Sequence, residues 1–311
     1  MAGQLRANGI TVRLSNTDKV LFPGDGVTKG DLIGYYESVA ATMLPLLRDR
    51  PISMTRCPDG IEGPQIVQKN APAYFPSWVR RAEVPKQGGT VWHVICDSKA
   101  TLGYLANQAC IELHVFLSRL DRLGHPDQLT FDVDPPDDLS FDRVRECAFL
   151  LRGLLEDELG LTTFVKTTGG RGVHVHVPLD RSGDFDAARG FARAAAELLA
   201  ARSPDLMTTQ QRKHGRGNRV YLDIMRDAYA QTVVAPYSVR ARPGAPVATP
   251  LTWAELTDAT PQRFTIATVP GRLAALKGNG DPWAGLARRR YSVGAAAARL
   301  ADLARPGRRA G

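Results

Sequence analysis

At 311 residues the chain can bury a sizeable core as one large or two small domains. With 43% hydrophobic and 23% charged residues, and Gly and Pro spread along its length, its composition excludes a disordered or fibrous class. A formal charge of +8 and a pI near 9.5 point to a polyanionic partner, because lysine and arginine neutralise phosphates and release their counterions. The four cysteines, Cys57, Cys96, Cys110 and Cys147, form no C-x-x-C pair and no dense framework, which speaks against zinc and against disulfide stapling. The opening stretch MAGQLRANGITVRLSN lacks a signal peptide's apolar region, and no apolar run reaches the ~18 residues that a membrane span needs, so a cytoplasmic setting without a membrane is expected.

In chain order, residues 1–125 are expected to form an N-terminal α/β subdomain, with a helix starting at Lys29 just after Thr28 and an apolar stretch around His114. From Asp127 to Met225 the pattern is sharper. QLTFDVD alternates as a strand, and FDRVRECAFLLRGLLEDELG has the apolar spacing of an amphipathic helix. TTFVKT, a glycine turn TGGRG and VHVHVPL then give two more strands. A helix over 185–201 and the strand RVYLDIM complete the order β-α-β-β-α-β. Residues 231–290 are assigned to the same catalytic unit, and 291–311 to an Ala/Arg-rich helix and tail. The stretch from Arg288 onward holds seven arginines against one aspartate, and its last six residues, PGRRAG, read as a frayed tail.

That order is the split βαβ arrangement of an α+β fold, four antiparallel strands with both helices on one face and the other face free. Alternation then assigns the faces. Phe131 and Val133, Val173, Val175 and Val177, and Val220, Leu222 and Ile224 face the helices; Asp132, Asp134, His174, His176 and Asp223 face away. Because the first strand of such a sheet lies between the third and the fourth, residues far apart in sequence converge on one surface. Three carboxylates at one place repel one another and call for hard divalent cations, which makes phosphoryl transfer the natural chemistry. Around them stand Arg216, Arg219, Arg226 and Arg240, with Lys166 and Arg171 flanking the glycine turn, a set suited to a triphosphate. The D-x-D pair also occurs in manganese-dependent glycosyltransferases, but those sit on Rossmann-like sheets, and no G-x-G-x-x-G follows a strand here.

The segments FDVDPP, KTTGGRGVHVHVPL, RVYLDIMRDAYAQTVVAPYSVR and PVATPLTWAEL together resemble one family, the polymerase domain of bacterial ligase D, a branch of the archaeo-eukaryotic primases used in end joining and gap repair. The resemblance runs from about Ile10 to about Trp283. It implies a primase-like fold with an RRM-like catalytic core. Asp132, Asp134 and Asp223 match the family's metal-binding aspartates, holding two manganese or magnesium ions and no zinc. Thr168, Gly169, Gly170, Arg171, His174, Arg216, Arg226, Arg240 and His114 match its nucleotide pocket, with threonine where serine is usual. Lys19 and Lys29 resemble the pair that grips the 5′-phosphate across a DNA gap. His176 has no matching role and reads as structural.

Two departures stand out. Ile66 and Val67, before Gln68-Lys69-Asn70, replace a usual phenylalanine pair that would stack on template bases, leaving Ile66, Val67 and Lys69 as candidate template contacts. Val115-Phe116 replaces Pro-Trp. The resemblance implies a nucleotidyltransferase that extends 3′ ends of gapped or broken DNA, accepts NTPs and dNTPs with ribonucleotides favoured, and is nucleoid-associated. No K-x-D-G ligase motif is present, so a separate DNA ligase, with Ku, is the expected partner. The alternatives are a primer-independent primase and a non-catalytic DNA-end-binding scaffold.

Overall fold

The computed structural model describes residues 3–136, 139–276, 281–303 and 305. A hairpin of β1 (Gln4–Ala7) and β2 (Ile10–Arg13) is followed by the short pair β3 (Val20–Phe22) and β4 (Val27–Thr28), then by α1 (Lys29–Leu47). The helix starts where expected because Thr28 closes a capping box: its hydroxyl accepts from Asp31 N while the Asp31 carboxylate accepts from Thr28 N. Next come β5 (Pro51–Arg56), β6 (Ile66–Gln68), β7 (Arg81–Lys86), β8 (Gly89–Ile95), α2 (Lys99–Asn107) and β9 (Cys110–Phe116).

The expected core order then appears as β10 (Gln128–Asp134), α3 (Phe141–Arg152), β11 (Phe164–Thr167), β12 (Val173–Pro178), α4 (Phe185–Arg202), β13 (Met207–Thr208) and β14 (Val220–Asp223). The helix read over FDRVRECAFLLRGLLEDELG is α-helical through Arg152 and widens to a π-helical segment over Gly153–Glu158. The chain continues through β15 (Thr232–Val234), β16 (Pro250–Leu251), α5 (Trp253–Asp258) and α6 (Val269–Ala275) to α7 (Val293–Leu303). The C-terminal helix expected in the Ala/Arg-rich end is α7, which lies against α4; the tail read in PGRRAG lies outside the described residues.

One sheet has the order β13-β14-β10-β12-β11-β16, and the other β15-β9-β5-β8-β7 with β6 also paired to β5. β10 thus lies between β12 and β14, as the split βαβ order requires. Phe131, Val133, Val173, Val175, Val177, Val220 and Leu222 are buried towards α3 and α4. A one-residue slip of β10 would turn Phe131 and Val133 out of that layer and drive Asp132 and Asp134 into it. Each fully buried side chain of this kind contributes about 1.5–3 kcal/mol, so the apolar face dictates where the aspartates point.

The opposite face of this sheet is not free. The second sheet stands across from it, and Thr130, Lys166, His174 and His176 are all buried there. Strand periodicity gives the side to which a residue points, and what covers that side is a matter of tertiary packing. The two sheets also exchange chain, since β15 runs beside β9 although it follows the catalytic strands in sequence. Arg50, 1% exposed, ties the halves together: it donates to Leu46 O at the end of α1, to Phe116 O at the end of β9, and to Asp127 Oδ2 just ahead of β10, at 3.1, 3.1 and 2.7 Å.

Candidate active site

The cross-strand register brings the acidic residues together. Asp132 of β10 is directly opposite both Asp223 of β14 and His174 of β12, and Asp134 follows two residues later on the same face. Burial pushes the Asp132 carboxyl up to about 6, against the lowering effect of Lys166, Arg226 and Arg240. Asp134 is raised by burial and by the charges of Asp132 and Asp223. Such carboxylates are the oxygen donors that a hard divalent cation takes, and a cation would relieve both the burial and the repulsion. As the side chains stand, no three His, Cys, Asp or Glu side chains among the described residues close around an ion, and Asp223 Oδ1 accepts from Met225 N at 2.8 Å. The donor set fits metal by type and register, with side-chain rotation on fixed strands left to complete it. His174 Nε2 lies 3.5 Å from Asp132 Oδ1, and burial lowers this imidazole's pKa well below its ordinary value.

The glycine turn after β11 forms the next wall. Thr168 Oγ1 donates to Gly172 O at 3.1 Å and accepts from Gly170 N at 3.2 Å, which folds the turn on itself. Two of its glycines are required by space. Gly169 has φ +64 and a Cβ there would lie 2.7 Å from Arg240 Cγ; at Gly172 a Cβ would lie 2.5 Å from Val133 O on β10. The turn is therefore pressed against the strand that carries Asp132 and Asp134.

Facing these residues across a cleft of about 670 Å³ is the second sheet. Ser53 and Thr55 of β5 pair with His114 and Glu112 of β9, and all four line the cleft. Glu112 is its hub: Oε2 lies 2.9 Å from His114 Nε2, while Oε1 accepts from Arg240 Nε and Ala241 N, both at 2.9 Å. Although burial alone would raise it, the His114 hydrogen bond and the Arg240 guanidinium hold the Glu112 carboxyl at about 2. Arg240 NH1 donates to Thr168 O at 2.7 Å, joining this wall to the glycine turn.

Of the residues singled out from sequence, Asp132, Asp134, Asp223, Thr168, Gly170, Arg171, His174, Arg226, Arg240, His114, Val67 and Lys69 line this one cleft. Others stand elsewhere. Lys166, expected to flank a triphosphate, is fully buried, because β11 is an inner strand lying between β12 and β16. Arg216 covers the Tyr221 ring at 3.8 Å and donates to Gln210 O and Gln211 O; it reaches the site through its field, which opposes the upward shift of the Asp134 carboxyl. Arg219 turns back to the carbonyls of Gly215 and Arg216. Ile66 is exposed on the opposite side of β6 from Val67. His176 is buried against Thr130 and Gln128, consistent with a structural place.

Lys19 and Lys29 lie apart from this cleft but close to each other. Lys29 is 6% exposed, with Nζ 3.2 Å from Asn107 O and 3.4 Å from Ser15 Oγ, while Lys19 pairs with Asp59 at 2.8 Å. Burial and then the Lys19 charge lower the pKa of Lys29. Sequence reasoning missed Ser53, Thr55, Gln65, Glu112, Gln231 and Arg242 in the cleft. The only signal for Glu112 was its period-2 relation to His114 in IELHVF.

Comparison with known proteins agrees with this geometry. The family described as LigD, primase-polymerase domain, matches residues 28–283. The multifunctional non-homologous end joining DNA repair protein LigD of Mycobacterium tuberculosis is 35% identical over 271 residues, 85% of this chain and 36% of that protein. The bifunctional LigD of Bacillus subtilis is 32% identical over 264 residues, 84% of this chain and 42% of that protein. The chain thus spans well under half the length of these curated relatives. The solved polymerase domain from Mycobacterium tuberculosis ligase D in complex with DNA superimposes with a TM-score of 0.84 at 34% identity, over 90% of this chain and 99% of that domain. The order of strands, the converged aspartates and these matches together establish that the chain belongs to the LigD primase-polymerase domain family.

Proposed function

We propose that the chain is a DNA-repair nucleotidyltransferase that adds nucleotides to 3′ ends in short gaps or at broken ends. The observation that carries the reading is the register that places Asp132 against both Asp223 and His174, in a cleft whose other sides bear Arg171, Arg226 and Arg240. In the reaction a primer 3′-hydroxyl loses its proton to solvent as its oxygen bonds to the α-phosphorus, the bond from that phosphorus to the β-bridging oxygen breaks, and pyrophosphate leaves. Asp132, Asp134 and Asp223 would hold two manganese or magnesium ions, which when bound activate the hydroxyl and neutralise the leaving group. Arg226, Arg240 and Arg171 bind the triphosphate, beside a glycine turn whose Thr168 hydroxyl and Gly170 N–H are paired with each other. His174, 3.5 Å from Asp132, lines the same cleft as a candidate contact to the nucleotide.

Ribonucleotides are the favoured substrates in this reading, supported by the Ser53 and Thr55 hydroxyls on the cleft wall, which can pair with a second ribose hydroxyl. Lys29 and Lys19 grip the 5′-phosphate across the gap, with the phosphate taking the place of Asp59 beside Lys19. Val67 and Lys69 lie along the template path. Sealing the nick calls for a DNA ligase, and an end-binding protein such as Ku is the partner that would bring broken ends to this site.

The test is primer extension on a one-nucleotide gap bearing a 5′-phosphate, with manganese, comparing ribonucleotides with deoxynucleotides. Native protein should add one nucleotide, and Asp134→Ala should bind the same DNA and add none. Extension that survives Asp134→Ala removes the metal assignment; native protein that binds DNA but never extends it leaves a scaffold.

A further inference from the structure

We propose that Glu112 is the positioning residue of the nucleotide pocket: its one carboxylate orients both His114 and Arg240, and through Arg240 it sets the glycine turn that faces the phosphates. The inference rests on the proposed nucleotide site and names a residue that holds it together.

Glu112 lies on β9, in the second sheet, whereas the glycine turn belongs to the catalytic sheet. Between them runs a continuous chain of short hydrogen bonds, from Glu112 Oε1 to Arg240 Nε at 2.9 Å and from Arg240 NH1 to Thr168 O at 2.7 Å. The Ala241 N–H donates to the same Oε1 at 2.9 Å, so the backbone beside Arg240 is pinned as well as its side chain. With Nε and NH1 spent on protein acceptors, the guanidinium plane has one defined orientation, and its NH2 is the nitrogen with no protein acceptor among the described residues. Truncating Glu112 would free the stem to rotate, and the turn would lose the support that fixes Thr168.

The same carboxylate decides what His114 presents. An ionised carboxylate only accepts, so the His114 nitrogen 2.9 Å from Oε2 must carry the proton. In the neutral ring this makes Nε2 the N–H and leaves Nδ1 as an acceptor. Glu112→Gln reverses this arrangement. A glutamine that keeps its oxygen towards Arg240 and Ala241 turns its NH2 towards His114 Nε2, which must then accept, and the proton moves to Nδ1.

The experiment measures ATP affinity and gap-filling kinetics in native protein, Glu112→Gln, Arg240→Lys and the double variant, with imidazole nitrogen NMR of His114. Glu112→Gln should raise Kd and KM for ATP by about tenfold, the size seen when a ligand-orienting outer residue is lost, while affinity for gapped DNA stays unchanged. Arg240→Lys removes the Nε contact, so adding Glu112→Gln to it should cost clearly less than it does alone. The NMR should show the proton of neutral His114 on Nε2 in native protein and on Nδ1 in Glu112→Gln. Unchanged ATP affinity in Glu112→Gln, or losses that simply multiply with Arg240→Lys, would overturn the proposal. Should Glu112→Gln fail to fold, Glu112→Asp decides the same point: it keeps the charge but is one methylene too short to serve both partners, and native ATP affinity in it overturns the proposal. Native protein that binds ATP in a Glu112-dependent way yet extends no primer refutes the polymerase reading and leaves this assignment standing.

Discussion

Neutralising Asp127 should destabilise the protein by about 3–5 kcal/mol, the usual cost of breaking a buried ion pair from one side. The magnitude follows from what remains. Arg50 is 1% exposed, and its only carboxylate partner among the described residues is Asp127, which also accepts from Arg119 Nε at 2.7 Å; Asp127→Asn leaves that buried guanidinium with carbonyl partners. An exposed pair such as Asp186–Arg189, where the aspartate is 83% exposed, is worth at most about 1 kcal/mol, so Asp186→Asn is the control. Urea unfolding followed by circular dichroism at pH 7 should give a lower midpoint with an unchanged slope for Asp127→Asn, and near-native behaviour for Asp186→Asn.

The pH dependence adds a sign. Burial would raise the Asp127 carboxyl, but Arg50 and Arg119 outweigh it and hold the folded pKa below the ordinary 3.8. A carboxylate depressed in the folded state contributes stability that is fully present above its unfolded pKa and disappears as pH falls through the folded one. The difference between native and variant protein should therefore be constant near neutrality and shrink only below about pH 4. A loss under about 1 kcal/mol at pH 7, or a difference that shrinks between pH 8 and 5, would refute the reasoning.

Gly172→Ala places a methyl 2.5 Å from Val133 O, a backbone atom of the strand carrying Asp132 and Asp134. Overpacking of this kind costs about 1–3 kcal/mol, and a shift of about 1 Å at the aspartates can cost ~10²-fold in rate, so primer extension should fall far more than the melting temperature. Native extension in Gly172→Ala would show that the turn yields and β10 does not. Lys29→Ala should abolish the preference for gapped DNA with a 5′-phosphate over DNA without it, read by equilibrium binding at fixed salt, since the phosphate contribution is salt-dependent. A preference that survives in Lys29→Ala and in Lys19→Ala would move the phosphate contact elsewhere.

Strand alternation settled one side of the active site before any coordinates. Phe131, Val133, Val173, Val175 and Val177 had to face α3 and α4, and that left Asp132, Asp134, His174 and Asp223 no choice but the other face; all four line the cleft. The order of elements then made β10 the neighbour of both β12 and β14, which is why three separated aspartates could be recognised as one group. Local chemistry was equally readable where it is self-contained, as in the Thr28 capping box at the start of α1.

What the alternation left open is what stands opposite. Lys166 and Arg216 were read as phosphate ligands because both are cations near the right motifs, yet one lies on an inner strand and the other stacks on Tyr221. Glu112, Ser53 and Thr55 were passed over because their role comes from a second sheet whose position no periodicity encodes. The sequence by itself determined the order of the catalytic strands and their acidic face, since these follow from the order of elements, from the period of 2 and from the burial of one apolar side. Only the tertiary structure decided the cleft, because its second wall depends on contacts between residues more than a hundred positions apart, such as Glu112 with Arg240, and on the return of β15 to the first sheet.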